Sequence, residues 1–444
     1  MVVNVIGAGL AGCQCSDILA RNGIKVKLYE MKKYKKTEAH ESNNFSELVC
    51  SNSLKSENIT NACGLLKQEM SYFNSIFLEA AYKTKVEAGQ ALAVDREEFS
   101  KYITEKIKTN ENIEVIEQEV KDINNLINSD EITVIATGPL TSSDLSNSMK
   151  EIINENNLYF FDAAAPIIDS DSIDMEIAYS MDRYGEKEGG DYLNLGMNKE
   201  QYLDFYNNLI NAKVAPRHEF DDIKLFEGCM PIEEMAKRGE KTLTFGMLKP
   251  VGLNNPRTNE KYYAVVQLRS ENKDKTAYNL VGFQTSLTFG EQKRVFGMIP
   301  GLSNATFLRY GVMHKNTYIN ASKLLDNKFN LKSNKNIYFA GQISGVEGYV
   351  ESAASGMLVA LNIVARLNNK EINLDNTTML GSLSNYVATE NKDYQPMNAN
   401  FGIIKPIEKD PSVKKLDKKT KYELYAKRSI EFMEKLKEDL DYIV

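Results

Sequence analysis

The sequence predicts an α/β protein: a Rossmann-like domain split by a large α+β insertion and followed by a helical C-terminal tail. Three observations carry this. Residues 2–6 are an apolar run leading straight into Gly-Ala-Gly-Leu-Ala-Gly, the G-x-G-x-x-G pattern of a strand–turn–helix nucleotide site. A matching junction, Asn-Ile-Tyr-Phe-Ala-Gly-Gln (336–342), stands near the other end of the chain. Between the two lie strand-like runs, such as 262–268 and 279–283, that continue neither pattern.

Taken in order, the first unit reads βαβ. A strand over 2–6 enters the glycine turn, a helix runs from about 10 to 22 with Gly23 just past its end, and a strand over 24–29 is closed by Glu30. Residues 132–135 form another short strand, ending in Ala136-Thr137-Gly138-Pro139. A strand at 336–340 and a helix over 351–367 complete the set. The expected division is therefore 1–140 plus 330–370 for the nucleotide domain, 141–329 for an insertion that meets substrate, and 371–444 for a mainly helical segment. In that last segment Tyr425, Met433, Leu436 and Leu440, with Ser429 as a weak member, form the stripe of an amphipathic helix over 422–442.

At 444 residues the chain has room for a large core, and 42% hydrophobic with 26% charged residues is ordinary for a globular protein. No uncharged apolar run approaches the roughly 18 residues of a membrane span. The longest candidate, 357–367, is interrupted by Asn362 and Arg366, so no membrane partner is expected. The short N-terminal apolar run is no secretory signal. Five cysteines without a framework spacing point to free thiols in a reducing, cytoplasmic setting. A net charge of −7 argues against a protein that coats nucleic acid indiscriminately, but leaves a structured RNA open as substrate. Two basic clusters stand out: Lys32, Lys33, Lys35 and Lys36, and residues 413–428, with seven Lys/Arg against two acids. Solvated surface is the simple reading of both.

The glycine motif defines the cofactor site. Gly7 permits the tight turn, Gly9 lets backbone approach a pyrophosphate, and Gly12 lets helix pack on strand, while Ala8, Leu10 and Ala11 carry the remaining backbone. Glu30, 18 residues after Gly12, is placed for a ribose hydroxyl. The Ala-Thr-Gly turn and the Gly341-Gln342 pair are second contacts usual in a glutathione-reductase-like FAD domain. A second G-x-G-x-x-G for nicotinamide is lacking, so NADH or NADPH would be a visiting reductant. Cys13 and Cys15 open the first helix, where packing beside the cofactor is the better reading, and Cys63 reads as core. Cys50 and Cys229, 179 residues apart, lie in polar or turn-like contexts that do not resemble core strands. His40, His218 and His314 show no metal-ligand spacing with the cysteines, and no zinc site is expected.

Seven segments together resemble a known family. They are Val-Ile-Gly-Ala-Gly-Leu-Ala-Gly (5–12), Glu-Leu-Val-Cys-Ser-Asn-Ser (47–53), Ala-Leu-Ala-Val-Asp-Arg-Glu-Glu-Phe (91–99), Phe-Glu-Gly-Cys-Met-Pro-Ile-Glu-Glu-Met-Ala (226–236), Tyr-Asn-Leu-Val-Gly-Phe-Gln-Thr (278–285), Gly-Val-Glu-Gly-Tyr-Val-Glu-Ser-Ala-Ala-Ser-Gly (345–356) and Pro-Met-Asn-Ala-Asn-Phe-Gly (396–402). In this order they resemble the TrmFO family of folate- and FAD-dependent RNA (uracil-5-)-methyltransferases, distant relatives of the GidA/MnmG flavoproteins. The resemblance implies that Cys229 adds to uracil C6, that Cys50 lies near the flavin and assists, and that Tyr349 stacks on the isoalloxazine. It also implies 5,10-methylenetetrahydrofolate as carbon donor and reduced FAD as electron source.

Two departures bear on the target. The family's Tyr-Leu-Asn-Cys-Pro-Met is Tyr-Leu-Asn-Leu-Gly-Met here (192–197), and its Thr-His-Leu-Lys-Trp-Gly-Glu-Gln is Thr-Ser-Leu-Thr-Phe-Gly-Glu-Gln (285–292). The composition, rich in Asn, Lys and Ile and lacking Trp, is that of an AT-rich genome. With these departures it resembles a branch of the family that methylates large-subunit rRNA. By that analogy the resemblance narrowly implies 23S rRNA over the tRNA T-loop uridine. In either case the basic clusters become candidate RNA contacts. The competing readings are a flavin oxidoreductase of small molecules and a non-catalytic, flavin-containing RNA-binding protein. A homodimer is compatible with the sequence, which shows no legible interface.

Overall fold

A computed structural model describes residues 1–37, 39–127, 131–153, 158–183, 190–215, 230–392, 394–407 and 417–443. The chain opens with β1 (Val2–Ile6), α1 (Leu10–Arg21) and β2 (Lys25–Tyr29), followed by α2 (Ala62–Ser71), α3 (Arg96–Lys108), β3 (Ile113–Ile116) and β4 (Ile132–Ile135). A second group follows: β5 (Ile167–Asp169), β6 (Tyr179–Ser180), β7 (Tyr192–Met197), α4 (Ile232–Lys237), β8 (Ala264–Ser270), β9 (Ala277–Leu280), α5 (Phe289–Phe296) and β10 (Phe307–Arg309). The chain then returns with β11 (Asn330–Leu331), β12 (Asn334–Phe339), α6 (Tyr349–Leu367), α7 (Met379–Ala388) and α8 (Lys418–Asp439).

The first sheet has the order β11-β12-β4-β1-β2-β3, parallel throughout except for the β11–β12 hairpin. Its central strands are buried on both faces: Val3, Val5, Val134 and Ile135 are all at most 1% exposed. This is why they read in sequence as almost continuous apolar runs, interrupted only by the buried Asn4 and Thr133. The order reverses beside β1, with β2 and β3 on one side and β4 and β12 on the other. In a doubly wound sheet that reversal opens a crevice at the carboxyl ends of the strands. The second sheet, β6-β7-β8-β9-β5-β10, is antiparallel and encloses its own core around Leu195, Val266, Leu268 and Phe283. The chain enters and leaves it through a ribbon in which 158–163 pairs with 313–318.

Several boundaries differ from the sequence reading, three of them for a reason visible in the structure. Strand β8 starts at Ala264 because Tyr262 instead stacks on Tyr179, with ring centroids 5.9 Å apart. Strand β9 ends at Leu280 because Gly282, at φ 82°, turns the chain. Helix α6 begins two residues early, at Tyr349, just after Gly348 at φ 114°. With 19 residues, and a mean hydropathy of 1.3 over its most apolar 18-residue window, α6 is long and apolar enough to cross a membrane, yet 89% of that window is buried inside the protein. It is the interior helix, packed along α1.

Helix α8 carries the expected stripe, with Tyr425, Ser429, Met433 and Leu436 all buried. It is tied to the rest of the molecule by the fully buried Glu69 of α2. That carboxylate accepts hydrogen bonds from the Ser429 hydroxyl (2.5 Å) and from the N–H groups of Met379 and Leu380 (both 2.7 Å) at the start of α7. Burial raises its pKa to about 7, against the lowering effect of those three donors. Glu69→Ala leaves the three donors unpaired and opens a void, so it is expected to destabilise the fold by about 3 kcal/mol. Denaturant titration checks this. Because the folded pKa is raised, this group's contribution is greatest below the ordinary glutamate range and is lost as pH rises through about 7.

Candidate active site

The crevice beside β1 is a cleft of about 1070 Å³, counting space open to solvent. Its floor is the Gly7–Ala11 turn. Glu30, the Ala136–Pro139 turn, Gly341, Gln342 and Tyr349 complete the walls. Local bonding explains the placement. The Gly7 N–H donates to Tyr29 O (2.8 Å), the Ala136 N–H to Ile6 O (2.9 Å) and the Ala340 N–H to Ile135 O (2.9 Å), which draws three strand ends together. Glu30 accepts from the N–H groups of Ala8 and Lys32, each at 2.8 Å, so its carboxylate is fixed against the glycine turn. Gly12 does not line the cleft; it lies beneath the turn, where a Cβ would stand 1.9 Å from Gly7 O.

The cleft suits an adenine dinucleotide. Gly9 begins α1 without any capping side chain, and nothing lies within 4 Å of where its Cβ would be. The first-turn N–H groups of a helix are unpaired donors with a partial positive charge, the combination that binds a pyrophosphate. An oriented carboxylate at the end of β2 completes the set for the ribose.

Beside the cleft the segment holding Cys50 is braced from three sides. Tyr349, at the start of α6, accepts from the N–H groups of Cys50 (2.7 Å) and Ser51 (3.2 Å). Burial pushes this phenol well above its usual pKa, so it stays protonated. Arg96, at the start of α3, donates to the carbonyls of Leu48 (2.8 Å) and Val49 (3.3 Å) and pairs with Glu271 (2.9 Å). From β8, Arg269 donates to Asn52 Oδ1 (2.8 Å) and Ser51 Oγ (2.7 Å). Residues 345–347 and 397 pair as short strands, and Glu351 accepts from the Ala399 N–H (3.0 Å) while bonding Lys55 at 3.1 Å. The motifs at 47–53, 91–99 and 345–356 thus meet around one half-buried thiol, and the motif at 396–402 is bonded to the last of them.

Cys229 lies outside the described residues, as does His218. The segment after Cys229 is described. Met230 is buried, and Glu233 of α4 accepts from Thr285 Oγ1 (2.8 Å), the Ser286 N–H (2.7 Å) and Ser286 Oγ (2.6 Å). This joins the motif at 226–236 to the one at 278–285. Ser286, standing where the family has His, is therefore a buried structural link. Leu195 and Gly196, the other departure, sit inside the second sheet, with Leu195 in its core and Gly196 against the ring of Tyr262. Neither departure changes a cleft residue.

The remaining thiols are packed. Burial raises Cys13 to about 12 and Cys63 to about 11, and it raises Cys15 as well. The Lys32–Lys36 cluster is not a free basic patch. Lys32 is 4% exposed, lines the cleft and faces Glu47 at 3.5 Å, while Lys33 and Lys35 pair with Glu117 and Glu119. A sequence cluster counts charges but not the acids that folding brings from β3 and the segment after it. Of the other cleft residues, Thr37 and His40, bonded through Oγ1 and Nδ1 at 2.6 Å, carry no pattern that the sequence could reveal.

Sheet order and cleft define a Rossmann-like nucleotide-fold protein of the GidA type. The family model described as Glucose inhibited division protein A matches residues 2–371. Two crystal forms of Aquifex aeolicus GidA superpose with TM-scores of 0.69 and 0.68 at 17% and 16% identity, covering 98% of this chain and 76% and 73% of theirs. Among curated proteins, the methylenetetrahydrofolate–tRNA-(uracil-5-)-methyltransferase TrmFO of Fusobacterium nucleatum is 54% identical over 97% of this chain and 98% of its own length. The protein of that name from Staphylococcus aureus strain Newman is 50% identical, covering 99% of each. The chain belongs to the TrmFO family. These relatives are named for tRNA, so the tilt toward 23S rRNA finds no support among them and the tRNA alternative fits better.

Proposed function

We propose that this protein methylates C5 of a uridine in tRNA, with 5,10-methylenetetrahydrofolate as carbon donor and FAD as the bound redox group. The observation that carries the reading is 54% identity along 97% of the chain to a TrmFO, combined with an intact dinucleotide cleft. When bound, FAD supplies the two electrons that take the folate-borne methylene to a methyl group. The backbone of Gly7–Ala11 holds the pyrophosphate, Glu30 the ribose, and Gly341, Gln342 and Tyr349 the flavin end. The thiolate of Cys229 adds to uracil C6, which makes C5 nucleophilic toward the methylene carbon. C5 bonds to the methylene carbon, the C5 proton leaves, and the C–N bond to folate breaks to release tetrahydrofolate. Two-electron reduction of that carbon, with elimination of the thiolate, leaves 5-methyluridine. Cys50, fixed by Tyr349, Arg96 and the Ser51–Arg269 contact, acts beside the flavin. NADH or NADPH regenerates the reduced flavin, the T-loop uridine is the target that the family resemblance implies, and the reaction belongs in the cytoplasm.

Incubating the flavin-loaded protein with methylenetetrahydrofolate, NADH and either unmodified tRNA or a 23S rRNA fragment tests the assignment by nucleoside mass spectrometry. 5-Methyluridine in tRNA alone is expected. Its appearance only in rRNA would reverse the target. RNA binding with no methylated product in either would favour the non-catalytic reading.

A further inference from the structure

Three aromatic rings stack as a ladder at the edge of the second sheet, Phe307 and Tyr310 half-buried and Phe289 exposed. Tyr310 is sandwiched between Phe289, at 4.6 Å and 17°, and Phe307, at 4.9 Å and 5°. Phe289 is 54% exposed, so its outer face continues the stack into solvent. The ladder is built rigidly. Gln292 of α5 donates to Gly311 O (2.8 Å) and accepts from the Gly311 N–H (2.8 Å), which fixes the residue after Tyr310 to the helix that carries Phe289.

Two further observations say what it meets. Residues flanking the ladder reach both chemical segments: Arg309, next to Tyr310, donates to Ala39 O (3.2 Å), beside the cleft residue His40, and Ser286, just before the helix that carries Phe289, bonds to Glu233 in the segment after Cys229. Cations adjoin it: Lys213 and Lys293, together with Arg294 and Arg309, which pair with Glu291 and Glu41, so these groups leave a small positive excess on an acidic protein. A uridine methylated at C5 must leave its stack, and its displaced neighbours need a new stacking surface. Flat rings beside cations are what single-stranded nucleotides bind.

We propose that Phe289, Tyr310 and Phe307 form a stacking platform for an unpaired base next to the target uridine. This rests on the RNA-methyltransferase reading. The test uses the full-length, FAD-bound protein and unmodified tRNA, comparing wild type with Phe289→Ala and Phe289→Trp. Flavin content and thermal midpoint confirm that each variant is folded. Phe289→Ala is expected to weaken tRNA binding about tenfold, the effect of losing one base–aromatic stack, and Phe289→Trp to retain it. The KM for folate stays unchanged. An unaltered tRNA Kd in Phe289→Ala overturns the platform. If the folate KM alone rises, the rings serve the folate; if only the solution mass falls, they serve self-association. Either result overturns the RNA assignment. Phe289-dependent binding of tRNA that is never methylated would sink the enzyme reading and leave the platform standing.

Discussion

Gly12→Ala is expected to yield a protein without flavin. The added Cβ would lie 1.9 Å from the carbonyl oxygen of Gly7 and 3.1 Å from its carbon, both backbone atoms. Neither side can retreat, because the Gly7 N–H is held by Tyr29 O and α1 is packed along α6. Overpacking against side chains costs about 1–3 kcal/mol, and a clash with fixed backbone stands at or above the top of that range. Even 3 kcal/mol spent distorting the turn corresponds to roughly a hundredfold loss of cofactor affinity. Gly9→Ala is the informative partner, since nothing lies within 4 Å of its new methyl. That variant should melt like wild type without cofactor, yet bind FAD more weakly because the methyl occupies the pyrophosphate's space. Visible flavin absorbance after gel filtration separates the two. Normal flavin content in Gly9→Ala would place the cofactor elsewhere.

Cys229→Ala is expected to keep its flavin and lose methyl transfer by at least about a thousandfold, the scale on which removing a covalent nucleophile acts. Flavin reduction by NADH should persist, because among the described residues the cleft shares none with 230–236, the part of that segment the structure describes. Retained methylation would remove Cys229 as the nucleophile.

The nucleotide half of the molecule was legible because its chemistry is local. The glycine turn, Glu30 and the strand ends at 135 and 339 are each dictated by a few adjacent residues, and they meet in one cleft. The stripe through Tyr425, Ser429, Met433 and Leu436 was legible for the same reason: helical periodicity records one buried face. Long-range partnerships were not legible. Nothing near Arg96, Arg269 or Tyr349 announces that all three secure the chain around Cys50, since the contacts join residues hundreds of positions apart. The pairing within the Lys32–Lys36 cluster was not legible for a related reason: the carboxylates that meet Lys33 and Lys35 come from residues 117 and 119. The departures at 195–196 and 286 looked functional in sequence because buried and cleft-lining positions cannot be told apart there.

The central claim is that the methyl carbon comes from folate and is placed on a tRNA uridine by this protein. Methylenetetrahydrofolate carrying ¹³C at the methylene, supplied with NADH and unmodified tRNA, tests it most directly. The account predicts 5-methyluridine heavier by one mass unit, formed by wild type and absent with Cys229→Ala. Unlabelled 5-methyluridine, or none while tRNA is bound and flavin reduced, would contradict it.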